Sequence, residues 1–174
     1  MNKTETKAKS PVTSRGDLSA GGGFTYPAKL VEGGQTQLAS GNWRLKLIFD
    51  RHDRQWSDGE AVKQYVNALT TMHEGTDPMW EGSPCDIISA SFAEATGDEL
   101  NVLDDESVAA FVGHSFILTD EQEVDRDGNA RTFTDKNGRT RNSYITTCTE
   151  YLGAEYTYDG KVTTVQGGDS AAPA

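Results

Sequence analysis

Two stretches of this sequence combine cationic side chains with aromatic neighbours, although the chain carries a net charge of −11. Residues 43–54 hold four cations against two aspartates, and residues 131–141 hold four cations against one. Single-stranded nucleic acid is bound by positive groups along its phosphates and by aromatic rings that stack on its bases. The pattern therefore predicts an interface built from Arg44, Lys46, Arg51, Arg54, Trp56, Arg131, Lys136, Arg139, Arg141 and Tyr144.

The acidic composition supports a second interpretation of the same cations. The 16 Lys and Arg residues are outnumbered by 27 Asp and Glu residues, so each cation could pair with a nearby carboxylate on a solvated surface. A strongly negative chain stays soluble and does not bind nucleic acid or anionic membranes over its whole surface. Any nucleic-acid contact must then be confined to a small basic face.

Other kinds of chemistry have weaker support in the sequence. His52 with Asp53, or His73 with Glu74 and Asp77, could form metal ligands or acid–base groups, but no H-E-x-x-H or Cys/His cluster accompanies them. The segment 125–129 resembles a calcium loop, yet its glycine is displaced from the required place, which favours a hairpin turn. No phosphate-binding loop or nucleophile motif occurs. We therefore predict a protein that is not an enzyme and holds no metal or cofactor.

The cations of the first stretch lie on a predicted strand. Side chains alternate between the two faces of a strand, so Leu45, Leu47 and Phe49 point to the core. The opposite face carries Arg44, Lys46 and Ile48. An earlier strand over residues 24–31 is its predicted hairpin partner, and Pro27 in it indicates an edge position or a bulge.

A helical insert is predicted over residues 57–112. Ser57 and Glu60 fit a capping box, and apolar side chains then recur at helical spacing, namely Val62, Tyr65, Val66, Leu69 and Met72. Ser83-Pro84 opens a second helix that ends at Gly97, with the apolar stripe Ile87, Ile88 and Phe92. A third, short helix runs from Asp104 or Asp105 to Val112, with Val108, Phe111 and Val112 facing inward.

The remainder predicts a return to strands. Turn signals at residues 127–129 and 136–139 divide residues 114–151 into a meander of three strands. The predicted fold class is α+β: a small five-stranded antiparallel sheet or OB-like partly closed barrel, with the helical insert between strands 2 and 3. One domain spans 24–158, between a disordered N-terminal tail (1–23) and a flexible C-terminal tail (159–174).

Cellular location and redox state follow from composition. The sequence has no apolar run long enough for a membrane span and no signal peptide, which predicts a soluble, cytoplasmic protein without a membrane partner. Cys85 and Cys148 match no metal or redox motif. Two reduced thiols fit best, and a disulfide remains an alternative.

Several short motifs resemble a known group of proteins. They are Tyr26-Pro27-Ala28-Lys29-Leu30, Ser40-Gly41-Asn42-Trp43 followed by residues 44–50, Val112-Gly113-His114-Ser115-Phe116, Asp127-Gly128-Asn129 and Arg141-Asn142-Ser143-Tyr144-Ile145. In this combination the chain resembles phage-encoded proteins of replication and recombination modules. The resemblance implies an oligonucleotide-binding type barrel, binding of single-stranded DNA, and phage or host replication proteins as partners in the host cytoplasm. The chain departs from that family in its insert and in lacking an acidic C-terminal end that finishes in Phe.

The function predicted from the residues and the resemblance together is that of a phage-type, non-enzymatic single-stranded DNA-binding or replication and recombination accessory protein. The alternative is a phage virion, tail or assembly protein that acts through protein–protein contacts. Residues 45–50 with Val62, Tyr65 and Leu69 are similar to small phage tail adaptors, and polar tails with an acidic surface suit protein partners. The sequence leaves open whether the chain forms a homo-oligomer.

Overall fold

The computed structural model describes residues 24–70, 83–124, 127–134 and 136–165, and one antiparallel sheet dominates them. Along the chain the elements are β1 (Phe24–Gln37), β2 (Trp43–Trp56), β3 (Ala61–Thr70), α1 (Pro84–Thr96), α2 (Asp105–Ala110), β4 (Ser115–Gln122), β5 (Thr132–Thr134), β6 (Thr140–Asn142), β7 (Tyr144–Gly153) and β8 (Thr163–Val165). The sheet order is β3-β2-β1-β4-β7, with β8 added to β2, while β5 and β6 form a separate hairpin. The α+β class is thereby confirmed.

Strands β1 and β2 follow the alternation that the sequence predicts. Leu45, Leu47 and Phe49 are buried, whereas the residues between them are half-buried or exposed. Pro27 lies in a central strand, just outside the pairing of β1 with β2, which begins at Ala28. The missing N–H of Pro27 therefore costs no hydrogen bond to β2. The shift of register between β1 and β2 falls between Leu30 and Glu32, not at Pro27.

The first predicted helix is wrong, because residues 61–70 form β3. Val62, Gln64, Val66 and Ala68 are buried, and the intervening described side chains are not, so burial has the period of a strand. The supposed capping box is a hairpin turn, in which Gly59 adopts φ +90° and the Trp56 N–H donates to the Glu60 carbonyl at 2.7 Å. Both described helices lie between β3 and β4, in the second half of the predicted insert 57–112, while the first half of that range contains β3. Met72 of the predicted stripe lies outside the described residues.

Helix α1 confirms the second predicted helix. The Ser83 hydroxyl accepts a hydrogen bond from the Asp86 N–H at 3.0 Å, and Gly97 ends the helix with φ +67°. Ile88 and Phe92 are buried, but Ile87 is 42% exposed, contrary to the predicted stripe.

The contacts of α1 show how the sheet is shaped. The helix packs against β7 and also against β3, which stand at opposite ends of the strand order. One helix can reach both ends only if the sheet curves around it. Among the described residues no backbone pairing joins β3 to β7, so the curved sheet stays open along a seam between these strands.

Helix α2 confirms the third predicted helix and closes one side of the core. Val108 and Phe111 are buried, whereas Val112 is 45% exposed, so its predicted inward orientation is wrong. In the core, the ring of Phe92 lies edge-on to Phe116 with centroids 5.5 Å apart. Cys85 and Cys148 are buried and unpaired, and burial raises the pKa of Cys148 to about 12.

The C-terminal segment returns to the sheet. Thr163–Val165 lie in the region that the sequence predicts to be a tail, yet they form β8, which runs parallel to residues 54–56 of β2. The predicted N-terminal tail, 1–23, lies outside the described residues. None of the described helices combines the length and the apolar character needed to cross a membrane.

The contact between β1 and α2 gives a test of the fold. A Cβ atom on Gly33 would lie 2.6 Å from Cδ2 of Leu47 and 2.9 Å from Cγ1 of Val108. Both neighbours are buried, so Gly33→Ala overpacks the core and should lower the free energy of unfolding by about 1–3 kcal/mol, measured by urea denaturation. In a Val108→Ala background the same change should cost less, because one of the two clashing methyl groups is gone while that of Leu47 remains. Equal costs in both backgrounds would show that the close approach of Gly33 to Val108 does not exist.

Candidate nucleic-acid interface

A cavity of about 490 Å³ opens at the seam of the curved sheet. One wall belongs to β3, and the other belongs to the β5–β6 hairpin and the start of β7. The residues that line this seam cavity are Tyr65, Val66, Asn67, Phe133, Thr140, Arg141, Asn142, Ser143, Tyr144 and Thr146. Its volume lies in the range of small-molecule and cofactor sites.

The β3 wall carries an aromatic ring that meets a cation of β2. Tyr65 and Asn67 point to the outer face of β3, because Val66 between them is buried in the core. The ammonium group of Lys46 lies 5.5 Å from the centre of the Tyr65 ring, within cation–π range. Arg44 follows on the same outer face of β2, so the basic row of this strand leads to the cavity.

The second wall is the basic hairpin. Phe133 pairs with Arg141 across β5 and β6, and Phe133 is 50% exposed. Backbone hydrogen bonds anchor the hairpin at its base, since the Arg131 N–H donates to the Glu123 carbonyl at 2.7 Å and the Ser143 N–H donates to the Arg131 carbonyl at 2.8 Å. These bonds join the base of the hairpin to the residues that flank β4 and β7, and Phe133 and Arg141 line the same cavity as Tyr65.

The structure brings part of the predicted site together. Arg141 and Tyr144 line the seam cavity, and Lys46 reaches it through Tyr65. Arg44 is exposed on the outer face of β2, and Arg131, Lys136 and Arg139 are exposed on or next to the hairpin. Within the described segments, no carboxylate forms an ion pair with Arg44 or Lys46.

The structure separates three other predicted residues from the cavity. Arg51 is buried, and its guanidinium group forms two hydrogen bonds with Asp53, at 2.9 and 2.7 Å. Trp56 is only 2% exposed and offers no face to a base. Arg54 lies with its guanidinium carbon 5.4 Å from the centre of the Phe24 ring.

The reason for the position of Arg51 is strand parity. The sequence ends the second strand at Asp50, but β2 continues to Trp56, and Arg51 falls on the same inner row as Leu47 and Phe49. A guanidinium group there must be neutralised, and Asp53 provides the charge. Arg51 and Trp56 therefore lie in the interior and do not line the seam cavity.

Thr146, one of the residues that line the cavity, belongs to a buried polar cluster. Thr146 donates its hydroxyl hydrogen bond to Oδ1 of Asp120, and the Tyr26 hydroxyl donates to the same oxygen at 3.0 Å. The Tyr26 ring in turn lies 3.9 Å from the guanidinium carbon of Arg51. Gln64, on the inner face of β3, is buried, and its amide finds no hydrogen-bond partner among the described residues.

Sequence reasoning named two of the ten cavity residues, Arg141 and Tyr144. The eight that it missed are Tyr65, Val66, Asn67, Phe133, Thr140, Asn142, Ser143 and Thr146. The predicted helix over residues 57–72 places Tyr65 on its core-facing stripe. Sequence reasoning therefore could not show that Tyr65 points outward from a strand. The sequence signal for a strand is weak: Val62, Val66 and Ala68 share one parity, but the polar Gln64 interrupts this apolar row. Phe133 stands within the basic stretch, and its ring is the signal that could have marked it as a stacking group.

His52, the other candidate for chemistry, lies away from the cavity. Its Nε2 atom is 2.8 Å from Oγ of Ser115, and its ring contacts those of Tyr156 and Tyr158, with centroids 5.3 and 6.1 Å away. Burial and the nearby charge of Lys29 lower the pKa of His52, while Asp53 and Asp50 oppose the shift. The described residues contain no group of three or more His, Cys, Asp or Glu side chains that could hold a metal. His73, Glu74 and Asp77 lie outside them.

The lowered pKa of His52 predicts how stability depends on pH. Because the pKa of His52 is lowered in the folded protein, the unfolded chain binds the proton more readily as the pH falls below the ordinary pKa of 6.5. His52 should therefore contribute stability above that pH, and the contribution should be lost as the pH falls through 6.5 toward the lower folded pKa. Urea denaturation at about pH 7.5 and about pH 5.5 should show a smaller loss of stability in His52→Gln than in the wild type. An equal loss in both proteins would contradict the assignment.

Comparisons with known proteins assign no family to the chain. Neither a scan against protein-family models nor a search of curated proteins found a match. The function is therefore inferred from the side chains of the seam cavity and from the fold that positions them.

Proposed function

We propose that this protein binds single-stranded DNA, without catalysing a reaction, along the outer face of β2 and β3 and in the seam cavity. The observation that carries the proposal is the set of side chains sharing one cavity: Tyr65, Phe133 and Tyr144 with Arg141, and Lys46 against the Tyr65 ring. Aromatic rings next to cations are what a single strand requires, since rings stack on bases and cations attract phosphates.

The order of the strands supports this proposal. A meander of three strands is followed by the helices and two further long strands, and each neighbouring pair in the order β3-β2-β1-β4-β7 is antiparallel. Strands β3 and β7 thus run in the same direction on either side of the seam. We interpret this arrangement as a partly open barrel of the oligonucleotide-binding type, whose five strands are β1, β2, β3, β4 and β7.

The position of the cavity agrees with that interpretation. Barrels of this type bind oligonucleotides on the face of strands 2 and 3, beside the loops that join strands 1 to 2 and strands 4 to 5. In this chain the corresponding face carries Arg44, Lys46 and Tyr65, and the β5–β6 hairpin belongs to the connection between the fourth and fifth strands. The cavity lies between this face and this hairpin.

The charges and rings together define the strength of binding that we propose. Each stacked base contributes about 1–3 kcal/mol, so the three aromatic side chains can bind a short strand. The net charge of −11 repels phosphates elsewhere on the molecule. Binding should therefore be local and sensitive to salt. A modest affinity suits an accessory role in phage replication or recombination, with phage or host replication proteins as partners, as the sequence resemblance implies.

A fluorescence titration with a short labelled DNA strand at low salt tests the proposal. Arg141→Glu and Lys46→Glu should each weaken binding. Each should also reduce the slope of log affinity against log salt by about 0.7, because one phosphate of the strand is no longer neutralised. Tyr65→Ala should weaken binding by about 1–3 kcal/mol with a smaller change in that slope.

The matched control is Lys161→Glu, which makes the same change of charge outside the residues that line the cavity. It should leave affinity nearly unchanged. The proposal fails if the wild type does not bind at low salt, or if Lys161→Glu weakens binding as much as the cavity variants do.

A further inference from the structure

We infer that the ion pair of Lys63 with Asp50 ends the path of a bound strand on the outer face of β2 and β3, so that the strand leaves the seam cavity toward Arg44. This inference rests on the proposed function, since it names the part of the same face that phosphates use. The feature that carries it is the order of charges along β2, which differs on the two sides of the pair of Ile48 with Tyr65.

The side of this face that leads to the β1–β2 turn is positive. From Tyr65 toward that turn, the outer row of β2 presents Lys46 and then Arg44. Their register partners on the neighbouring strands are uncharged, namely Gly34, Thr36, Asn67 and Leu69. Asp105 lies at the edge of β1 that β2 does not occupy, where its Oδ1 accepts the N–H of Gln35 at 3.1 Å. Two cations therefore follow one another here without a carboxylate between the strands.

The side of this face that leads to the β2–β3 turn is neutralised. Asp50 stands in register between Lys29 of β1 and Lys63 of β3. Nζ of Lys63 lies 2.5 Å from Oδ1 of Asp50. Glu32 is the register partner of Ile48 on β1. The two cations of this side, Lys29 and Lys63, are therefore balanced by two carboxylates on the same three strands.

A phosphate gains little from Lys63, because Asp50 already serves as its counterion. Ion pairs with exposed partners are weak, and the side chains of Lys63 and Asp50 are 43% and 26% exposed, so the ammonium group can turn away. Asp50 would remain on the strand and repel the phosphate. Binding there would also release few counterions, and counterion release is the main source of affinity for a charged strand. Beyond the ion pair, the β2–β3 turn adds the exposed carboxylates of Asp58 and Glu60.

The salt dependence of the fluorescence titration tests this boundary, since the slope of log affinity against log salt counts the phosphates that cations neutralise. Arg44→Gln should reduce the slope by about 0.7, whereas Lys63→Gln should leave it unchanged. Asp50→Asn frees Lys63 for a phosphate, so it should tighten binding and increase the slope by about 0.7. The matched control is Asp98→Asn, which removes the same charge from an exposed residue behind α1 and should leave the slope unchanged.

A pair of labelled variants tests the direction of the strand. Ser40 and Ser57 are exposed serines in the turns at opposite ends of β2, so Ser40→Cys and Ser57→Cys place a thiol-reactive fluorophore at either end. Cys85 and Cys148 are buried, and burial raises the pKa of both thiols, so they should not compete for the label. Addition of the short DNA strand should change the emission of the label at position 40 and leave that at position 57 unchanged.

The outcomes separate this inference from the proposed function. An equal loss of slope in Lys63→Gln and Arg44→Gln, or equal slopes in Asp50→Asn and Asp98→Asn, overturns the inference and leaves the proposed function standing. An equal response of the two labels does the same. Failure of the wild type to bind the strand at low salt overturns both.

Discussion

The burial of one apolar face of the sheet against α1 is the constraint on which the rest of the structure depends. The inner rows of β1, β2 and β4 are apolar, and α1 covers them with Cys85, Ile88 and Phe92. Hydrophobic stabilisation is proportional to the area removed from water, so the sheet gains by wrapping around the helix. Because α1 touches both β7 and β3, the curvature is complete enough to bring these two strands to either side of a seam.

The seam follows from that curvature, and the cavity follows from the seam. Strands β3 and β7 do not pair in the described residues, so the space between them is available to side chains and to a ligand. The inner face also changes character there, from an apolar core to the buried hydrogen bonds of Tyr26, Asp120 and Thr146. Buried polar groups of this kind must be paired, and their pairing fixes the direction of each donor. Thr146, which lines the cavity, thereby has its hydroxyl proton engaged by Asp120.

Local signals in the sequence are reliable where one residue type has one physical use. Ser83 and Pro84 at the start of α1 and Gly97 at its end are predicted correctly, because caps act within a single turn of chain. The prediction for the segment 61–70 is wrong, since its apolar residues fit both a helical and an alternating pattern over a short window. Pairing with β2 along most of the segment decides in favour of the strand.

The sequence by itself determined the α+β class, the two helices α1 and α2 and the outer basic row of β2, because each depends on residues close together along the chain. It also placed Arg141 and Tyr144 among the candidates for the interface. Only the tertiary structure decided that Arg51 is an interior ion-pair partner, that Trp56 is buried, and that Tyr65 and Phe133 face one cavity. These outcomes depend on where β2 ends and on how far the sheet curves. Both are set by contacts between residues distant in sequence, which no local pattern records.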